Sequence, residues 1–234
     1  MNLIEEIKEV LFANNNFSYI LDGLRTTICV TMISLIFALI IGLFIAIVRN
    51  AKNNLKPSWK NPSGFFLNLL DRIVKIYVTI VRGTPSTIQL LIVFNVILAN
   101  ANSLLLVAIV TFTINSSAYM SEVIRGGLQS VDKGEIEAAR SLGLSYKESI
   151  VKVILPQAIK NSLPALGNEV ITLFKETSIS GFIGLVDLTR AAAIIISKTF
   201  KAAIPYFTAA IIYLIIVLIL EKIFKKLEEK YSYA

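Results

Sequence analysis

Residues 137–143 read Glu-Ala-Ala-Arg-Ser-Leu-Gly, and nine residues separate this run from Val-Ile-Leu-Pro at 153–156. The two runs lie between apolar stretches that are long enough to cross a membrane. Charged side chains are costly inside the hydrocarbon region, so they belong in water or against a protein partner. The segment therefore predicts a part of an integral membrane protein that protrudes from the membrane and contacts a protein partner.

Capping residues divide this segment into two helices. The Asp132 side chain can cap the first helix while Glu135 returns the reciprocal bond, and Gly143 can supply the left-handed ending. Ser145 and Glu148 repeat the capping pattern directly afterwards. The spacing predicts a helix, a tight glycine turn and a second helix, which the proline at position 156 disrupts later.

The composition is that of a membrane protein. Hydrophobic residues make up 55% of the 234-residue chain, and the mean hydropathy is +0.71, whereas soluble domains are about 45 to 50% apolar. The net charge of +7 would by itself be compatible with nucleic acid binding. Because the basic residues flank apolar stretches, where membrane topology calls for them, we expect membrane lipid and no nucleic acid among the partners.

Five apolar stretches approach the length that a hydrocarbon core of about 30 Å requires. They lie at 26–48, 76–99, 104–120, 163–186 and 204–220. Residues 64–81 are also apolar but contain Asp71, Arg72 and Lys75, so we expect an interfacial or elbow helix there. The alternative is a sixth span, which would put both termini on the same side of the membrane.

The distribution of basic residues predicts the topology. Six lysines or arginines lie in 49–75, six in 121–162 and four in 221–234, whereas the segment before the first span contains only Lys8 and Arg25. Basic loops stay in the cytoplasm. We therefore expect the N-terminus outside and the C-terminus in the cytoplasm.

Several kinds of site are excluded by residues that the chain lacks. It contains no histidine, which removes Ser-His and Cys-His catalytic pairs and histidine-ligated metals. Cys29 is the single cysteine and can form no intrachain disulfide. No glycine-rich loop ending in Gly-Lys-Ser/Thr is present, so the sequence offers no visible means of binding ATP. We expect no catalytic residue, no metal and no cofactor in this chain.

The order of motifs resembles the permease subunits of ATP-binding-cassette (ABC) importers. The runs at 137–143 and 153–156 resemble the cytoplasmic loop of that family, with Val153 where the family more often has isoleucine. Other motifs resemble its polar amino acid uptake group. These motifs are Arg82-Gly-Thr-Pro85 with Gln89, Ser117-Ala-Tyr119, Glu122-Val-Ile-Arg125-Gly-Gly127, Pro164-Ala-Leu-Gly-Asn168-Glu169 and Lys175-Glu-Thr-Ser178.

The resemblance implies an all-α membrane protein with five transmembrane helices and the type I ABC importer (MetI-like) fold, located in the bacterial inner (plasma) membrane. In that family the cytoplasmic loop is a coupling helix that docks on a separate ATPase subunit, where ATP and Mg bind. The resemblance further implies an extracytoplasmic amino acid binding protein and a permease homodimer, or a heterodimer with a related permease. The residues expected to couple to the ATPase are Glu137, Ala138, Ala139, Arg140, Gly143, Leu155 and Pro156.

We accordingly expect one transmembrane permease domain over 1–234. Within it, 1–20 would be an outer interfacial segment, because Leu3, Ile4, Ile7, Val10 and Leu11 recur at helical spacing. Residues 49–75 would form a cytoplasmic elbow, and 130–160 the cytoplasmic coupling hairpin.

The fourth apolar stretch contains three charged residues, Glu169, Lys175 and Glu176. At about 100° per residue, Glu169 and Glu176 share one helix face with Thr172, whereas Lys175 lies about 100° away. We expect this face to line a polar cavity in which the two carboxylates bind a cationic group of the substrate. The alternative is a structural ion pair between Lys175 and a carboxylate.

Two carboxylates favour a basic amino acid such as arginine, lysine or histidine, although an α-ammonium group would serve equally for one of them. In the resembling family an acidic residue at the Glu176 position is usual whatever the substrate, so Glu169 is the more discriminating of the two. The resemblance adds Gln89 and Ser117 to the expected substrate-binding residues.

Other functions remain compatible with parts of this pattern. An ion-coupled secondary transporter also needs buried carboxylates, but it is built on repeats, and no inverted repeat is evident. An intramembrane enzyme would have only Ser116, Ser117 and the carboxylates as candidates, without a catalytic pair. The segment 137–156 could be a plain connecting loop, but two capping pairs argue against that.

Overall fold

The computed structural model describes residues 2–55 and 57–232, and every regular element in these ranges is helical. The α-helices are α1 (Leu3–Phe12), α2 (Asn16–Leu55), α3 (Pro62–Arg82), α4 (Ser86–Ile92), α5 (Leu104–Gln129), α6 (Lys133–Ser141), α7 (Tyr146–Ser149), α8 (Leu155–Glu176), α9 (Leu188–Thr199) and α10 (Ala203–Ser232). Two 3-10 helices, Ala13–Asn15 and Thr177–Ile183, and two π-helices, Val93–Ile97 and Ile150–Ile154, adjoin them. The all-α class predicted from the sequence is confirmed.

The five predicted apolar stretches are largely helical. Within the described ranges, three segments are long and apolar enough to cross a membrane, namely Asn16–Asn53, Leu104–Gln129 and Ala203–Tyr231. The fourth stretch lies in Tyr146–Ile183, which meets the same criterion together with Leu188–Thr199 but is bent by 46° against it. Neither α3 nor the predicted second stretch is among these segments, and the choice between an elbow and a sixth span stays a prediction.

The second predicted stretch, 76–99, is divided and does not form one continuous helix. The helix α3 ends at Arg82, and α4 begins only at Ser86. Pro85 between them has extended backbone angles (φ −63°, ψ 136°) and is the N-cap of α4. The break lies before it because a proline cannot donate to a preceding turn and disfavours helical geometry in Thr84. The apolar helix that remains, Ser86–Ile97, is correspondingly short.

The predicted amphipathic N-terminal helix is present as α1. Its apolar face packs inward, since Val10 and Leu11 are buried in a cluster with Ile20 and Leu188. Burial of this face explains why the spacing of apolar residues at the N-terminus is helical. The position of α1 at the outer membrane interface stays a prediction.

Two compact units can be distinguished, each built from three stretches of chain. In the first unit, the fully buried Phe112 packs with Val30 and Leu173. In the second, Val74 of α3 packs with Ala118 of α5. The expectation of one permease domain over 1–234 stays a prediction. The first unit comprises Met1–Ile36, Thr84–Thr113 and Ile171–Leu220, and the second Phe37–Gly83, Ile114–Val170 and Glu221–Ala234.

Candidate functional site

A carboxylate with three guanidinium partners lies in the second unit. Glu122 of α5 pairs through Oε1 with Arg49 of α2. Its Oε2 accepts hydrogen bonds from Arg125 Nη2 at 2.6 Å and Arg125 Nε at 3.1 Å, and lies 3.8 Å from Arg82 Nη1. Because the Glu122 side chain is only 16% exposed, a net charge of +2 is concentrated at a partly buried point. We call these four residues the arginine cluster.

Close packing of two helices brings part of this cluster together. A Cβ atom on Gly42 of α2 would lie 2.9 Å from the Cβ of Met120 on α5, so only glycine allows this approach. Arg49 follows seven residues later on α2, which is close to two helical turns. The same helix face that touches α5 therefore carries Arg49 to Glu122.

The cluster joins two motifs that are far apart in the sequence. Arg82 begins the Arg-Gly-Thr-Pro motif, and Glu122 and Arg125 belong to the Glu-Val-Ile-Arg motif. Arg82 also lies over the ring of Tyr119, 5.3 Å from its centre, in a cation–π contact. Neither the pairing of these residues nor the contribution of Arg49 is predicted from the sequence. The available signal was that each charge adjoins an apolar stretch, where it needs a partner.

The arginine cluster is suited to holding helices together. An ionised carboxylate offers about four lone-pair sites, and here arginines from α2, α3 and α5 approach both of its oxygens. Charge-assisted bonds of this kind are stronger than neutral ones, and their guanidinium groups fix the direction of approach. Glu122 is therefore committed to protein partners.

Glu176 has the opposite surroundings. It is the last residue of α8 and is half-buried, but its carboxylate forms no hydrogen bond or ion pair with another described residue. Its neighbour Lys175 is exposed and likewise has no acidic partner among the described residues, so the alternative structural ion pair is not observed. Lys175 borders a cavity of about 320 Å³ together with Ser178, Thr189 and Tyr206. Such charges in an apolar stretch require a ligand, water or a further subunit.

The other predicted residues of this face lie on the same continuous helix, α8. Glu169 is half-buried and takes part in an interaction within the chain, whereas Thr172 is exposed. The structure thus provides the helix that the spacing of Glu169, Thr172 and Glu176 assumed. Their role in binding a substrate stays a prediction.

Two further predicted substrate residues already have partners in the chain. The Ser117 hydroxyl is fully buried, donates to the carbonyl of Ile114 and lies 2.6 Å from the Tyr77 hydroxyl. Gln89 donates from Nε2 to the Oγ1 of Thr84 at 2.8 Å. A substrate would have to displace these bonds, so Ser117 in particular acts in this conformation as a packing residue.

The predicted helix, glycine turn and second helix are present in 130–160, and glycine ends the first helix as expected. The coupling role of this hairpin stays a prediction. Gly143 has φ +91°, and the N–H of Leu144 bonds the carbonyl of Ala139 at 3.2 Å while the N–H of Gly143 bonds that of Arg140 at 3.0 Å. This pair of bonds is a Schellman motif, which satisfies the last carbonyls of a helix. The left-handed ending at Gly143 is therefore confirmed.

The caps of the hairpin differ from the prediction at one point. Ser145 and Glu148 form the predicted reciprocal box, with Ser145 N donating to Glu148 Oε2 at 3.0 Å and Glu148 N to Ser145 Oγ at 3.3 Å. Asp132 caps the first helix, but its carboxylate accepts from Gly134 N at 2.6 Å. The short Asp132 side chain thus binds the N–H of Gly134, where the predicted box needs that of Glu135. The return bond to the Glu135 carboxylate is also absent among the described residues.

The capping box also changes the acidity of Glu148. Hydrogen bonds from the Ser145 side chain and backbone, followed by the bond and the positive charge of Lys152, lower the pKa of Glu148 from 4.5 to about 2. These partners favour the ionised form. Glu148 is therefore ionised throughout the physiological pH range.

Pro156 is accommodated inside a helix and does not end one. The π-helix Ile150–Ile154 precedes it directly, and α8 continues from Leu155 through Pro156 to Glu176. A proline cannot donate the usual helical hydrogen bond, and a π turn offers the local change of spacing that tolerates this loss. The predicted disruption is thus a change of helix type.

The surface of the hairpin combines charges with an exposed apolar side chain. Leu142 is 86% exposed. Glu137, Ala138 and Arg140 are exposed, whereas Ala139 is buried. Ala139 therefore packs within the chain, and only Ala138 of the two predicted alanines is available to a partner.

The chain that carries these features matches a known family. Residues 62–233 match the model described as "Binding-protein-dependent transport system inner membrane component". The chain belongs to this family. It is an ABC importer permease, a transport subunit and not an enzyme, and the resemblance to the polar amino acid uptake group is confirmed.

Curated relatives are similar to this chain over most of their length. The arginine transport system permease protein ArtQ of Bacillus subtilis (strain 168) is 36% identical over 215 residues, which cover 91% of this chain and 92% of the relative. The glutamine transport system permease protein GlnP of Escherichia coli (strain K12) is 34% identical over 215 residues, which cover 90% of this chain and 92% of the relative.

Solved structures confirm the MetI-like fold. A crystal structure of an amino acid ABC transporter with histidines superposes with a TM-score of 0.81 at 34% identity, covering 98% of this chain and 99% of the other. An inward-facing structure of the MetNI methionine ABC transporter superposes with a TM-score of 0.74 at 21% identity, covering 94% and 99%. The second match, at its low identity, bears on the fold alone.

Proposed function

We propose that this permease forms the membrane pathway of an ATP-driven importer for polar amino acids. The observation that carries the proposal is the agreement, over at least 90% of this chain, with permeases named for arginine and glutamine transport. The structural neighbour solved with histidines adds support for an amino acid substrate. Two copies of the chain would line the pathway, or one copy with a related permease.

ATP is hydrolysed by a separate ATPase subunit, which binds ATP and Mg, since this chain has no phosphate-binding loop. The coupling hairpin meets that subunit through Glu137, Ala138 and Arg140, and the exposed Leu142 supplies an apolar anchor. Gly143, Leu155 and Pro156 set the shape of the hairpin. Closure of the ATPase pair would move the hairpins as rigid bodies and change the side to which the pathway opens.

The substrate is bound through carboxylates on α8. Glu176 supports this assignment most directly, because it is half-buried without a partner among the described residues. Glu169 adds a second negative charge, which favours arginine, lysine or histidine, and Thr172 and Gln89 offer neutral polar contacts. Glutamine, for which one relative is named, would use one carboxylate for its α-ammonium group.

Topology follows from the basic residues. The N-terminus lies outside, where an extracytoplasmic binding protein delivers the amino acid, and the C-terminus and the hairpin lie in the cytoplasm. The protein resides in the bacterial inner membrane.

Uptake by the reconstituted permease tests this function. The permease, its ATPase subunit and the binding protein are placed in vesicles, and labelled amino acid uptake is measured with ATP or with an ion gradient. We expect uptake only with ATP and with all three components. Uptake driven by an ion gradient without the ATPase would contradict the proposal and favour a secondary transporter.

The thermal stability of the purified complex identifies the substrate. A ligand at 100 times its dissociation constant stabilises the folded state by about 2.7 kcal/mol. We expect the unfolding temperature to rise with a subset of amino acids that includes arginine or histidine. No rise with any amino acid, in a complex that hydrolyses ATP, would contradict the substrate assignment.

A further inference from the structure

One face of α3 carries two cations and two exposed isoleucines in a continuous groove. Arg72, Lys75, Ile76, Thr79 and Ile80 border this groove, which has a volume of about 400 Å³. We call it the α3 groove. Its residues follow the spacing i, i+3, i+4, i+7 and i+8, so they form a stripe about 12 Å long on one helix face.

The two cations of the groove have no acidic partner among the described residues. Asp71 is the only acidic residue in 49–75, where six residues are basic. Its carboxylate lies 3.9 Å from Lys52 Nζ and is only 14% exposed, so it is turned toward the protein. The positive charge of Arg72 and Lys75 therefore remains uncompensated at the surface.

The apolar part of the groove is equally open. Ile76 is 53% exposed and Ile80 is 58% exposed. The hydroxyl of Thr79, between them, donates to the carbonyl of Lys75 at 2.8 Å and so presents no free donor to a polar ligand. The groove thus changes from cationic to apolar along the helix.

This change coincides with the edge of the second apolar stretch, which begins at residue 76. At this predicted boundary, Arg72 and Lys75 would lie on the water side, and Ile76 and Ile80 on the lipid side. Basic residues next to a span attract anionic lipid, each by a few-fold in binding constant. Phospholipids are the partners that combine a phosphate with an apolar chain at this spacing.

We propose that the α3 groove is a binding site for an anionic phospholipid, with the headgroup phosphate at Arg72 and Lys75 and an acyl chain along Ile76 and Ile80. The site is independent of the transported substrate and of the ATPase. It requires only that α3 enters the bilayer at residue 76. Bound lipid would hold the elbow at a fixed depth and make transport depend on membrane composition.

Native mass spectrometry of the purified full-length permease measures the lipid preference. Phosphatidylglycerol and phosphatidylcholine with identical acyl chains are added in competition, and retained lipid is counted. Both lipids contain a phosphate, but only phosphatidylglycerol has a net negative charge. Two nearby cations should therefore favour phosphatidylglycerol about 30-fold. The variant Arg72→Gln/Lys75→Gln should lose most of this preference, whereas Lys222→Gln/Lys225→Gln, with the same spacing near the C-terminus, should keep it. Equal preference in the two variants would overturn the proposal.

A photoreactive phosphatidylglycerol probe tests the site in the unaltered chain, which avoids any dependence on the folding of variants. Crosslinked peptides should map to residues 72–80, and excess phosphatidylglycerol should suppress them, whereas inorganic phosphate at equal concentration should not. Three results would overturn the assignment. The first is suppression by inorganic phosphate, which would indicate a simple anion site. The second is crosslinking only outside residues 72–80. The third is protein–protein crosslinking which shows that a second copy of the chain covers this face.

Discussion

Glu122 and Glu176 are both carboxylates on predominantly apolar helices, but they differ in their partners. The carboxylate oxygens of Glu122 lie within 3.8 Å of guanidinium nitrogens from three arginines. The carboxylate of Glu176 has no hydrogen bond or ion pair with another described residue, although the residue is half-buried. A buried charge that is fully paired holds the fold, and its removal leaves uncompensated partners. A half-buried charge without partners costs stability. We therefore expect Glu176 to bind a ligand or a subunit that lies outside the folded chain.

The largest expected effect is a difference in stability between the variants of the two carboxylates. Glu122→Gln leaves three partly buried arginines without their carboxylate and should destabilise the permease by about 3 kcal/mol. Glu176→Gln removes an unpaired charge and should change stability by less than about 0.5 kcal/mol, or increase it. Thermal unfolding of the purified variants provides the measurement. Equal losses in the two variants would show that the contrast in partners has no energetic meaning.

A smaller effect ranks the arginines within the cluster. Arg49 is 20% exposed and in direct contact with Glu122, whereas Arg82 is 44% exposed and 3.8 Å away. We expect Arg49→Gln to cost about 2 kcal/mol and Arg82→Gln less than about 1 kcal/mol, because solvent screens the more exposed pair. The unfolding temperatures of the two variants test this order. A larger loss for Arg82→Gln would assign Arg82 a role beyond the pairing.

Two glycines, Gly143 and Gly126, differ in backbone conformation, and this difference tests the coupling role of the hairpin. Gly143 has φ +91° and open space at its Cβ position, so Gly143→Ala should strain the turn by about 1 kcal/mol without any clash. Gly126→Ala is the matched control, because its Cβ position is also open but its backbone is helical. We expect binding of the ATPase subunit, measured by co-purification, to fall only in Gly143→Ala. Intact binding would contradict the coupling role.

The smallest effect concerns Glu148, which has partners and whose side chain is 44% exposed. Its pKa of about 2 in the folded chain lies below the ordinary 4.5. A depressed pKa means that the stabilisation is complete above pH 4.5 and is lost as the pH falls toward 2. Hydrogen exchange at the start of α7, corrected for the intrinsic rate, should show protection that declines only in this range. In Glu148→Gln the protection should not vary with pH, and a decline in both proteins would exclude the carboxylate as its cause.

The sequence predicted local features well because their causes are local. The box at Ser145 and Glu148 and the left-handed Gly143 depend on residues a few positions apart, and both are present. The apolar length of 76–99 predicts a single span, whereas the structure has a break at 83–85, which Gly83 and Pro85 signal. The box expected at Asp132 and Glu135 is not formed, and the Asp132 carboxylate accepts from Gly134 N and not from Glu135 N.

The arginine cluster could not be predicted from spacing, because it depends on tertiary packing. Arg49 and Glu122 lie 73 positions apart and meet only because Gly42 lets α2 approach α5. For α8, helical periodicity predicted that Glu169, Thr172 and Glu176 share one helix, and the structure contains that helix. Periodicity could not show that Glu176 would be without a partner, since this depends on the residues that pack around it.

Transport kinetics of Glu169→Gln test the central claim most directly. Uptake of arginine and of glutamine is measured in vesicles that contain the permease, the ATPase subunit and the binding protein. If the α8 carboxylates bind the cationic group of the substrate, the KM for arginine rises at least about tenfold, equivalent to about 1.4 kcal/mol, whereas the kinetics for glutamine change little. Unchanged affinity and rate for arginine, with unchanged ATPase binding, would contradict the claim.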